Sequence, residues 1–255
     1  MDSQIKGNLE DRLVRYLVQS EKSAELSKAG RIFRTIGEVR SAMKSDGYII
    51  PTVAEIADVV SDCAFSPNGV STIVAETVNY FPGKDYILIA TYELNRHLPR
   101  LDRSPTSGWK RPLSLFRDKE YHLSRREQSR LLRIAKEDAD LPPRERTVFV
   151  REKKEKGYFS MPRKALIKND TPDSEFASFL YRRHAKRFAG FLRENGVAYM
   201  PFWLDDKSHI DSHRAPYARL LTFTVRSKPW NAHLLDGTHM AYSDSVVICG
   251  IKNSS

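Results

Sequence analysis

The sequence predicts an α+β protein, in which a mainly helical N-terminal module with a winged helix-turn-helix precedes a C-terminal α+β domain. Three observations lead there. Two helix-start signals flank one short connection between Asp46 and Phe81, a β-rich stretch from Asp85 to Tyr92 follows them, and one long amphipathic helix lies among strand candidates beyond residue 123.

The elements follow in order. Leu9, Leu13, Tyr16 and Leu17 recur at helical spacing, as do Ile32, Phe33, Ile36, Val39 and Met43 before Gly47, and each set predicts a helix. Thr52 with Glu55 three residues on forms a capping box, and Pro51 discourages any earlier helical turn at Ile50. Ser66 and Pro67 repeat the start signal, a hydroxyl cap followed by a residue that needs no N–H partner. Val53, Ile56, Ala57 and Val60 line the first of these two helices; Val70, Ile73, Val74, Thr77, Val78 and Phe81 line the second. Asp85 to Tyr92 then supplies the wing strand, which closes a module over residues 1–94.

Residues 95–122 are rich in Pro, Ser and Arg, with Pro99, Pro105, Gly108 and Pro112 as breakers, and predict a basic linker or long loop. Residues 123–255 read as an α+β domain of unknown role. Its helices are expected at Leu123 to Ala139, opened by a second capping box of Ser124 and Glu127, and at Ser174 to Asn195. Its strands are expected at Thr147 to Arg151, Val197 to Leu204, Arg219 to Arg226 and Ser245 to Ile251.

Composition bounds the function. The 255 residues carry 42 Lys and Arg against 32 Asp and Glu, a net charge of +10 that favours a polyanionic partner. Cys63 and Cys249 lie too far apart to suggest a disulfide framework or a thiolate zinc site. No apolar run approaches the roughly 18 residues of a membrane span, and the N-terminus lacks the apolar core of a signal peptide, so a cytoplasmic location without membrane attachment is expected. Neither a phosphate-cradling glycine loop nor a nucleophile elbow is visible, and no cofactor is expected.

The phrases GYIIPTVAEIAD and SPNGVSTIVAETV, within residues 41–92, resemble the winged-helix modules of LexA-type repressors and KfrA-type plasmid regulators. The resemblance implies a DNA-binding regulator of transcription or replication, of a mobile element such as a plasmid or phage. A DNA duplex is the implied partner, and a homodimer is one compatible assembly. It also implies that Ser66, Asn68, Ser71 and Thr72 face the major groove. That second helix carries no Arg or Lys and includes Glu76, so phosphate contacts are expected from Arg100, Arg103, Lys110, Arg111, Arg125 and Arg126, and from the group Arg182, Arg183, Lys186 and Arg187.

Two other readings compete. A metal-dependent nuclease would use Asp140 and Glu152 to hold magnesium, with Lys154 near the attacked phosphate, although the run REKKEKG also reads as a charged hairpin turn. A basic RNA- or protein-interaction module would need no catalytic group. His209, His213, His233 and His239 are expected as surface or loop histidines, the first pair in a segment unfavourable to helix.

Overall fold

The computed structural model describes residues 13–19, 32–33, 36–62, 70–91, 121–167, 172–225, 233–237 and 245–252. In chain order these form β1 (Leu13–Gln19), β2 (Ile32–Phe33), α1 (Ile36–Ser45), β3 (Tyr48–Ile49), α2 (Val53–Asp62), β4 (Val70–Tyr80), β5 (Tyr86–Ala90), β6 (Tyr121–His122) and α3 (Arg125–Glu137). Then come β7 (Val148–Glu152), β8 (Tyr158–Pro162), α4 (Pro172–Tyr181), α5 (Ala185–Glu194), β9 (Tyr199–Trp203), α6 (Lys207–Ser212), β10 (Tyr217–Val225), β11 (His233–Asp236) and β12 (Ser245–Lys252).

A large curled sheet in the order β7-β5-β4-β10-β11-β9-β8, with β6 beside β10, carries the architecture. It draws strands from either side of residues 95–122. A second sheet, β2-β1-β12-β3, joins the two ends of the described chain, with β1 and β12 antiparallel from Leu13 opposite Ile251 to Gln19 opposite Ser245.

The expected helix after Ser66 is instead the central strand β4, and the expected helix over Leu9 to Leu17 includes β1. The physical reason is β-branching combined with two-sided burial. Val70, Thr72, Ile73, Val74, Thr77 and Val78 favour extended backbone, and residues 72–80 are all buried, so apolar residues fall on both faces. A strand buried on both sides loses its two-residue alternation and can imitate a helical stripe.

The preceding helix is where the capping box puts it. Thr52 N–H donates to Glu55 Oε2 at 2.7 Å, Glu55 N–H donates to Thr52 Oγ1 at 3.2 Å, and α2 follows. Its N-terminus meets a bulge in β4. Thr77 pairs with Leu220 and Ile73 with Thr222, so Val74, Ala75 and Glu76 stand opposite Leu221 alone. Ala75 N–H donates to the Pro51 carbonyl at 2.8 Å, and both oxygens of Glu76 lie 3.0–3.1 Å from the Val53 N–H. Burial pushes the Glu76 carboxyl up to about 8 despite that N–H.

The sheet has two unlike faces. Its inner face, with Val78, Tyr80, Ile87, Ile89, Phe149, Phe202 and Phe223, forms one core with α2, α4 and α5. Rings interlock there, Phe149 with Phe176 at 5.4 Å and Phe176 with Phe202 at 5.1 Å. On the outer face, Leu88, Ala90, Val148 and Ala218 pack beneath α3 through Leu131 and Ala135. The expected single helix from Ser174 to Asn195 breaks into α4 and α5 at a 3-10 turn, Arg182–His184, where Arg182 takes a left-handed φ of 52°. No described helix is long and apolar enough to cross a membrane.

Candidate functional site

Large aromatic side chains stand exposed on the outer face of β8 and β9. In this antiparallel pair Tyr158 lies opposite Trp203 and Phe159 opposite Phe202. Phe159, Met161, Met200 and Phe202 turn into the core, so the alternation of a strand sends Tyr158, Tyr199 and Trp203 outward. They are 49%, 59% and 46% exposed. Tyr158 and Trp203 meet edge to face, with centroids 5.2 Å apart and planes at 67°, and the Tyr158 hydroxyl is 2.7 Å from Ser160 Oγ. Half-buried Asp236 of β11 pairs with Trp203 in the next register position.

The backbone under Trp203 is tied from several directions. Its carbonyl accepts from Gly237 N–H at 2.8 Å, and Leu204 N–H donates to the Gly157 carbonyl at 2.8 Å. A Cβ at Gly157 would fall 1.9 Å from the Leu204 carbonyl oxygen, so only glycine fits this approach. Asp205 N–H donates to the Tyr80 hydroxyl at 3.2 Å, and that hydroxyl donates to the Gly237 carbonyl at 3.0 Å.

The Asp205 side chain anchors a buried polar group. Tyr217 donates its hydroxyl to Oδ2 at 2.8 Å, Arg219 Nε lies 3.1 Å from the same oxygen, and the Arg219 and Asp205 side chains are each only 6% exposed. Burial, then the Asp205 charge, holds the phenols of Tyr80 and Tyr217 above the ordinary tyrosine range, so both remain donors. Arg219 Nη2 also lies 3.2 Å from His209 Nε2 on α6. Asp206 caps α6 by accepting from His209 N–H at 2.7 Å, and the Ser208 hydroxyl and that N–H keep its carboxyl below the usual range. Asp211 of α6 binds Lys153 Nζ at 2.7 Å and accepts from Gly83 N–H at 2.8 Å.

The residues singled out in the sequence lie elsewhere. Ser66, Asn68, Arg100, Arg103, Lys110, Arg111 and His239 are outside the described residues. Ser71 is in β4 and His233 in β11. Thr72 is buried, and its hydroxyl accepts from Cys249 N–H at 2.8 Å. Arg125 and Arg126 are exposed on α3, and Arg183 and Lys186 are exposed around the α4–α5 break. Arg182 packs over the Phe179 ring at 4.8 Å and donates to the Arg144 carbonyl, while Arg187 pairs with Asp58 at 2.8 Å and with Asp62.

Asp140 is exposed in the turn after α3, and Glu152 pairs with Lys154 at 2.7 Å. The neighbouring Asp138 carboxylate accepts from Thr147 N–H, Thr147 Oγ1 and Val148 N–H at 2.6–2.9 Å, so it pins the start of β7. His209 lies on α6, correcting the expectation of an irregular segment, with the His213 ring 4.8 Å away. Among the described residues no group of three or more His, Cys, Asp and Glu could hold a metal ion.

No family model matches the chain, and no curated protein matches it in sequence. Among solved structures it is similar to a Nanoarchaeota protein described as accommodating massive sequence variation by the C-type lectin fold. The two share 13% identity and a TM-score of 0.57, over 96% of this chain and 100% of that one. The likeness shows a C-type lectin fold. It overturns the expected N-terminal winged helix-turn-helix module and the resemblance to LexA-type and KfrA-type regulators. With them fall the helix-turn-helix reading of residues 41–92, the role in transcription or replication and the duplex DNA partner. The physical reason is direct: the segment expected to enter a DNA groove is an interior strand, paired with β5 on one side and β10 on the other.

Proposed function

We propose that the protein is a binding module that uses the C-type lectin fold to recognise a protein partner through Tyr158, Tyr199 and Trp203. The observation that carries this reading is the exposure of three large aromatics on two paired strands, with the backbone of residues 203–205 fixed by hydrogen bonds of Trp203 to Gly237, Leu204 to Gly157 and Asp205 to Tyr80. Tyrosine and tryptophan offer large contact area and a polar tip, and they dominate binding energy where a patch is rigid before the partner arrives. The similar Nanoarchaeota protein accommodates massive sequence variation on this fold, which fits a scaffold whose surface recognises while its core holds shape.

A protein is favoured over a sugar by the ring geometry. At 67° Tyr158 and Trp203 form a notch suited to an apolar side chain rather than a flat platform for a pyranose face. Peptides selected from a displayed library on the full chain test this. A dominant family that loses about tenfold or more in affinity on Trp203→Ala is the expected result. Binders indifferent to Tyr158→Ala combined with Trp203→Ala would overturn the reading, as would glycan-array binding lost in that double variant.

A further inference from the structure

The outward side of α3 carries a second, chemically different surface. Leu131 and Ala135 are buried against the sheet, while Arg125, Arg126, Arg133 and Lys136 are exposed and Arg130 is half-buried. At about 100° per residue these five cations fall within roughly 140° of the helix circumference, and Arg125 to Lys136 spans about 16 Å along the axis. Both acids of the helix are engaged. Glu127 accepts from the Ser124 N–H and hydroxyl at 2.8 and 2.7 Å in the capping box, and Glu137 pairs with Arg133 at 2.9 Å. Arg125, Arg126 and Lys136 form no ion pair with any described residue.

The placement of Arg125 and Arg126 opposes the helix that carries them. They occupy its first turn, at the positive end of the helix dipole, where a cation is unfavourable. A pair of arginines that costs stability where it stands is explained by a ligand that needs it.

We propose that this face of α3 binds an acidic polysaccharide, sulfated or carboxylated, lying along the helix. Guanidinium forks take two oxygens of a carboxylate or sulfate at once, and four of the five cations are arginine. The stripe has no aromatic ring, and Leu132, at 40% exposure, is the one large exposed apolar residue of α3, so it lacks the apolar anchor that a protein interface uses. Because α3 lies flat on the sheet, it cannot enter a nucleic-acid groove as a recognition helix does. A linear polyanion dense in sulfate and carboxylate groups lies along a linear row of cations with its paired oxygens on the guanidinium forks, and its binding weakens with added salt as counterions are released.

The test compares two triple variants of the full chain that remove equal charge. One is Arg125→Gln, Arg126→Gln and Arg133→Gln; the other is Lys84→Gln, Lys164→Gln and Arg193→Gln, all exposed and none of them on α3. Heparin is the probe, with polyglutamate and a 16-base-pair duplex as competitors. The expected result is a heparin Kd raised about tenfold or more by the first set and less than about twofold by the second. Equal losses in both sets would reduce the effect to net charge and overturn the proposal. Polyglutamate or duplex displacing heparin at equal or lower charge concentration would overturn the ligand class. Should the first triple fail to fold, Arg125→Gln with Arg126→Gln suffices: its thermal midpoint is expected to hold or rise while heparin affinity falls, and unchanged affinity would sink the idea. None of these variants touches Tyr158, Tyr199 or Trp203.

Discussion

The outer face of the curled sheet is finished differently at its two ends. Beneath α3 it presents Leu88, Ala90 and Val148, small and medium side chains closed off from water. On β8 and β9 the same alternation presents Tyr158, Tyr199 and Trp203 with nothing described above them but solvent. One half uses its outer residues to bury area; the other keeps larger apolar groups wet and instead ties down their backbone. Large exposed rings on well-anchored strands contribute little to folding, so the contrast separates a stabilising half from a recognising half.

The sharpest way to break that contrast is to cut the anchor beneath the open half. Asp205→Ala leaves Arg219 buried without its carboxylate and is expected to cost about 3–5 kcal/mol, seen as a lower denaturant midpoint. A loss below about 1 kcal/mol would mean that the anchor is dispensable. Next comes the covered half, where Leu131→Ala should cost about 2–4 kcal/mol by opening a void beneath α3. The two costs should add, since the sites share no partner.

A pH titration gives the next largest effect. The unfolded chain releases the Glu76 proton near 4.5 and the folded chain holds it to about 8, so the folded state binds more protons between those values. This contribution to stability is full below about 4.5 and is lost as pH rises through about 8. The loss between pH 5.5 and 7 amounts to roughly 2 kcal/mol. Glu76→Gln should flatten the dependence, and an unchanged slope would show that the carboxyl is ionised in the fold. Smallest is Trp203→Ala, expected to change stability by less than about 1 kcal/mol because nearly half of the side chain is already in water. A cost equal to that of Leu131→Ala would erase the distinction between the halves.

What could be read from the sequence was local. Both capping boxes, Thr52 with Glu55 and Ser124 with Glu127, are formed, because a cap needs only four consecutive residues to declare itself. Strand β5 was equally visible for the same reason, whereas REKKEKG, which reads as a hairpin turn, joins two strands that do not pair, β7 lying beside β5 and β8 beside β9. Strand β4 was not visible, since its burial depends on α2 and on β10 and β12, the last two drawn from the far end of the chain. The exposed rings were written in YMPFW, an alternation with an aromatic residue on each face, but only the fold tells which face stays wet. The Asp205 group joins Tyr80 to residues beyond 200, a separation that no motif spans.

The pairing of β1 with β12 has a mechanical consequence. Seven residue pairs, from Leu13 with Ile251 to Gln19 with Ser245, bring the two ends of the described chain to one spot. A pull applied there loads the ladder as a zipper, so its hydrogen bonds open in succession at low force instead of rupturing together in shear. The same closure makes the backbone nearly circular, and a permuted chain joined across that spot and opened in the β7–β8 turn should keep its fold.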